Sequence, residues 1–104
     1  MIAEAVALGA GAGGFSASDG GWIFAGALTL GNAADVLRAS KALALPANGI
    51  VDVSGVVHAD SAALAVMISL KRRASGEGRT LKITGLPASL RSLAIVYGVE
   101  DLLG

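Results

Sequence analysis

The chain has 104 residues, eight Lys plus Arg against eight Asp plus Glu, a formal net charge of zero, no Cys and a single His. This length makes one small domain, its 35 large apolar side chains supply one core and exclude a disordered chain, and the charge balance argues against binding nucleic acid through a broad basic field. Without Cys there is no disulfide or thiolate chemistry, His58 alone makes no His-rich metal site, and no cofactor is expected.

Met1 to Gly14 reads as a flexible Ala/Gly-rich segment, a tail or a loosely attached first strand, with residues 15–104 as the domain. Its only charge is Glu4, so it lacks the basic start of a secretory signal. The longest apolar run of the body, Ala62 to Ile68, falls far short of the roughly 20 residues that cross a bilayer. A cytoplasmic protein is expected, reaching the inner-membrane face only through a complex.

Asp19-Gly20-Gly21 is a turn signal between Phe15–Ala17 and the β-compatible run Trp22–Ala25, so Phe15 to Ala25 predicts a hairpin. Thr29 is a candidate N-cap for a helix from about Leu30 to Leu45, stopped by Pro46. Gly49 to Val53 has the pattern of a central strand, and Ser54 to Asp60 reads as a loop. A helix opens at Asp60 or Ser61 and runs to about Ser75, with Lys71, Arg72 and Arg73 in its last turns, where cations suit the dipole. Thr80 to Thr84 predicts a strand, and Pro87 opens a third helix ended by Gly98. Asp101 to Leu103 adds a short turn. The order β-β-α-β-α-β-α implies crossover connections and a mixed, mostly parallel sheet.

Three patterns bear on chemistry. Gly9, Gly11 and Gly14 spell G-x-G-x-x-G, but a hairpin follows where a dinucleotide site needs a helix, and no Walker-type phosphate loop exists. His58, Asp60 and Ser61 lie within four positions of one segment, a spacing that does not converge into a Ser–His–acid chain, and no nucleophile elbow is present. A protein without catalysis is therefore expected. Asp60-Ser61 remains: a hydroxyl beside the free N–H groups and positive dipole end of a helix start, where a phosphate is accommodated. The helix behind it is apolar around its circumference from Ala62 to Ile68, so it is either buried all round or presents a small-residue docking surface.

The block Val51-Asp52-Val53-Ser54-Gly55-Val56-Val57-His58-Ala59-Asp60-Ser61-Ala62-Ala63-Leu64 resembles the STAS domain family, which pairs a strand ending in Asp-x-Ser with a loop and then Asp-Ser or Asp-Thr opening a helix. Trp22 to Thr29 is similar to an early strand of that family, and the resemblance runs from Phe15 to Gly104. It implies the STAS fold, a mixed sheet with helices packed mainly on one face.

Two branches of the family matter. The segment Gly85 to Val99 with Leu102-Leu103, and Ala62-Ala63 where antagonists carry a small residue followed by Gly, look like the MlaB branch. These are cytoplasmic accessory subunits that bind the ATPase of an ABC complex moving phospholipid to maintain outer-membrane lipid asymmetry. The SpoIIAA-like branch comprises anti-sigma factor antagonists, whose Ser matching Ser61 is phosphorylated by a partner serine kinase. The resemblance favours the first and implies a non-catalytic interaction module. His58, Asp60, Ser61, Ala62, Ala65 and Val66 are its expected partner-binding residues, and Ser61 is the acceptor in the alternative. NTP binding, suggested for STAS domains generally, is a further alternative.

Overall fold

A computed structural model describes residues 13–103 of the chain. Strands β1 (Gly14–Ser18) and β2 (Gly21–Leu28) form the expected hairpin, followed by α1 (Ala33–Ser40), β3 (Ile50–Ala59), α2 (Ser61–Gly76), β4 (Lys82–Thr84), α3 (Ala88–Val96) and the single turn α4 (Glu100–Leu103). The sheet runs β1-β2-β3-β4, with β1 antiparallel to β2 and the other neighbours parallel. Right-handed crossovers that always step the same way place their helices on one face. The burial agrees: Trp22, Phe24, Val51 and Val53 are buried, while the alternating Ile23, Ala25, Ile50 and Ser54 are exposed.

The core sits between that covered face and the helices. Val36 of α1, Met67 and Leu70 of α2, and Leu90 and Ala94 of α3 pack on the strand residues. Helix α2 is the central one, touching α1 on one side and α3 and α4 on the other. Its apolar circumference follows from this position: Ala63, Leu64, Val66 and Met67 are all buried.

Several boundaries differ from those expected. α1 starts at Ala33, not Leu30, because Thr29 to Asn32 close a turn: the Thr29 carbonyl accepts from the Asn32 and Ala33 N–H groups (3.1 and 2.8 Å). The Thr29 hydroxyl accepts from the Gly31 N–H within that turn and does not cap the helix. After Ser40 the bonds tighten to an i→i−3 spacing through Leu43. The carbonyls of Ser40 and Leu43 accept from the Arg73 guanidinium at 3.1 and 2.7 Å, so the chain leaves the helix early on its way to β3.

β3 continues through the segment expected to be a loop. Residues 55–59 pair with β2 across two irregularities (Ala25↔Gly55, Ala27↔His58 and Leu28↔Ala59). Gly55 makes this possible, since a Cβ there would overlap the Phe24 carbonyl oxygen. At the other end, Gly14 belongs to β1 and Gly13 is buried, while the rest of the segment expected to be flexible, residues 1–12, lies outside the described residues. Gly9 and Gly11 lie outside the described residues, and Gly14 opens a strand where a dinucleotide loop would need a helix.

On the open face, Asp52 Oδ1 accepts from the Ser54 N–H at 2.8 Å. Bonds from the Ser54 amide, then its hydroxyl, hold the Asp52 carboxyl below its ordinary value. The unfolded chain therefore binds the proton first as pH falls. The contribution to stability is present above the ordinary carboxylate value of about 3.9 and is lost below it. Asp52→Asn is expected to reduce the acid-side loss of stability in denaturation curves taken between pH 5 and pH 2, with a small effect because the group is largely solvated.

Candidate functional site

The end of β3, the start of α2 and the turn after β2 meet at one end of the sheet. Asp60 is the N-cap of α2, with extended backbone and a carboxylate that accepts from the Ala62 N–H at 2.8 Å through Oδ1. Its second oxygen, Oδ2, accepts from the Leu30 N–H at 3.0 Å. One carboxylate thus caps the helix and anchors the β2–α1 turn against it. The Asn32 side chain completes that turn, accepting from Thr29 N–H and donating to the Ala27 carbonyl, both at 2.8 Å.

With both oxygens so engaged, Asp60 orients the site and is half-buried. Asp60→Ala is expected to cost about 1–2 kcal/mol in chemical denaturation, the range of a lost N-cap. Asp60→Asn, which keeps one acceptor oxygen, is expected to recover only part of that loss.

The structure separates the other expected residues. Ser61 and Ala65, four positions apart and so on one face of α2, are both exposed; Ala62 is half-buried between them and the core. Among the described residues no protein group hydrogen-bonds the Ser61 hydroxyl. His58 is exposed, on strand β3 and not in a loop. Val66 is fully buried, and its assignment as a partner contact is corrected: α2 turns that position onto the sheet. The surface of small residues on α2 is therefore a narrow strip and not the full apolar circumference.

Two residues were missed by the sequence reading. Leu30 is 82% exposed beside Asp60, and Val57 is 67% exposed next to His58. The sequence pattern places Leu30 in a helix; the following Gly31-Asn32, both turn formers, are the signal that it sits on a loop. Both are large apolar side chains left exposed at this end of the sheet.

The arrangement offers no assembled acid–base pair. Among the described residues no group of three His, Asp or Glu side chains is placed to hold a metal ion, and no helix is long and apolar enough to cross a membrane. What it offers is a hydroxyl at a helix N-terminus, the small Ala65 one turn behind it, and an exposed Leu30 in the turn that Asp60 anchors.

A search of curated proteins returned no match to the chain. The family model described as "Mlab, STAS domain" matches residues 24–104, from the middle of β2 to the C-terminus. Most of the sheet, all four helices and the Asp60–Ser61 corner fall within the match, and the mostly parallel sheet with one covered face is the architecture expected of a STAS domain. The chain belongs to the MlaB-like STAS-domain family.

Proposed function

We propose that the chain is a non-catalytic docking subunit that binds the ATPase of an ABC phospholipid transporter through the start of α2. The observation that carries the reading is the exposed strip of Ser61 and Ala65 on a helix start capped by Asp60, with the exposed Leu30 in the turn that the same carboxylate anchors. Small side chains let a partner approach the helix backbone closely. Leu30 and Val57 provide apolar area of the kind that anchors an interface centre. His58 lies at the rim. The partner would belong to a complex that maintains lipid asymmetry, and the chain would act at the inner-membrane face through that complex, on the cytoplasmic side.

The second reading keeps the same surface and changes the event. The exposed Ser61 hydroxyl at the first helical position is open to a serine kinase, and a phosphate there would sit at the positive end of the α2 dipole. In that case the partner is an anti-sigma factor or its kinase.

The test is a calorimetric titration of the whole chain against the purified ATPase of such a transporter, with wild type and Ser61→Glu. Binding by the wild type and its loss in the variant is expected. No binding by the wild type, together with phosphorylation of Ser61 by a serine kinase, would transfer the assignment to the second reading.

A further inference from the structure

Where β4 runs out toward α3, the fold leaves a pocket of about 140 Å³. Its floor is apolar: Ala94 and Leu103 are buried there, and Ile83 and Leu86 are half-buried. Two opposite charges line the same pocket, Arg91 of α3 and Glu100 of α4, and both residues are exposed. The pocket sits at the C-terminal end of a parallel strand, the end at which open α/β sheets receive ligands.

Arg91 and Glu100 do not neutralise one another. Among the described residues the ion pairs are Arg38–Asp35 and Arg73–Glu77. The guanidinium hydrogen bonds there belong to Arg38, Arg73 and Arg79. The Arg91 donors and the Glu100 oxygens are therefore left for a third party.

Two such charges on one pocket select by sign. A lone anion drawn to Arg91 is repelled by Glu100, and a lone cation meets the reverse. A molecule carrying both charges sets each against its complement. The ligand must also be small, since the volume is well below the roughly 300–1,000 Å³ of pockets for drug-sized molecules. The apolar floor adds a place for a short aliphatic group.

We infer that this pocket binds a compact zwitterion, its anionic group on Arg91, its ammonium on Glu100 and an aliphatic part on Leu86 and Leu103. Free aliphatic α-amino acids and the phosphoethanolamine headgroup of a lipid share this pair of charges. The floor favours the amino acid, because the headgroup has no branch to cover it. No residue of the docking strip on α2 lines the pocket, so the inference is independent of that reading.

The test is an NMR titration of the whole chain with L-leucine and with O-phosphoethanolamine. Isopentylamine and isocaproate, which keep the leucine side chain and one charge each, are the controls. Expected are saturable shifts of the Leu86, Arg91, Glu100 and Leu103 amides with L-leucine, half-complete on the order of 1 mM, as suits so few atoms. The two controls should bind roughly 10-fold more weakly or worse, and so should L-leucine to Arg91→Gln and to Glu100→Gln. Both side chains are exposed, so the ligand-free variants should melt with the wild type. Saturation by O-phosphoethanolamine and not by L-leucine would keep the site and assign it to a headgroup. No saturable shift with either zwitterion in the wild type would overturn the inference. So would controls that bind as well as L-leucine, or L-leucine binding that both substitutions leave unchanged.

Discussion

Ser61→Glu is expected to weaken partner binding by roughly 30- to 1,000-fold, about 2–4 kcal/mol, while leaving the fold as stable as the wild type or slightly more so. The two effects have opposite signs for a physical reason. Ser61 is the first residue of α2, and the first turn of that helix carries no acidic side chain beyond the cap. A carboxylate there faces the positive end of the helix dipole, worth about 0.3–1 kcal/mol in the free protein. On docking, the same carboxylate must be desolvated against a surface that meets a small neutral side chain, and the cost falls on the complex alone. Calorimetric binding and thermal denaturation, measured on one preparation, separate the two. A parallel fall in both would mean that Ser61 supports the fold and is not an interface residue. Unchanged binding would place the interface elsewhere.

Trp22→Ala is expected to remove about 3–5 kcal/mol of stability. That is a large share of the 5–15 kcal/mol that domains possess, with a fall in Tm on the order of 15–30 °C. Trp22 is buried at the hairpin end of β2, and its ring contacts Phe15 with centroids 5.4 Å apart. Its Nε1 donates to the Ala44 carbonyl at 3.1 Å, and the Arg73 guanidinium lies over the ring at 5.9 Å. Arg73 in turn holds the carbonyls of Ser40 and Leu43. One indole therefore joins the sheet, the central helix and the irregular segment between α1 and β3. The truncation leaves a cavity and releases that segment together. Trp22→Phe, which keeps most of the apolar volume and loses the N–H, is expected to cost less than half as much. Because Trp22 is the only Trp of the chain, unfolding must be followed by circular dichroism and not by fluorescence. A loss below about 1 kcal/mol in Trp22→Ala would contradict the central place of this contact.

The sequence legibly encoded what local chemistry decides. Asp19-Gly20-Gly21 set the hairpin, Gly98 at positive φ followed the end of α3, and Asp60-Ser61 marked a capped helix start that the structure reproduces. The strand–helix alternation implied the mostly parallel sheet, and the block from Val51 to Leu64 carried the resemblance to a family that the match over residues 24–104 supports. In each case neighbours in sequence settle the outcome through backbone preference, capping or periodicity.

Tertiary structure decided the rest. Residues 55–59 became strand because β2 offered them backbone partners across a gap only Gly55 allows. α1 ended early where Arg73, 33 residues away from Ser40, took its carbonyl. Val66 and Ala65 are adjacent and similar in character, yet one is core and the other surface, because the flanking helices and the sheet leave α2 only a narrow strip of solvent. Leu30 is held at the corner of Ser61 only through the Asp60 carboxylate. These outcomes depend on contacts between residues distant in sequence, and a linear pattern does not record them.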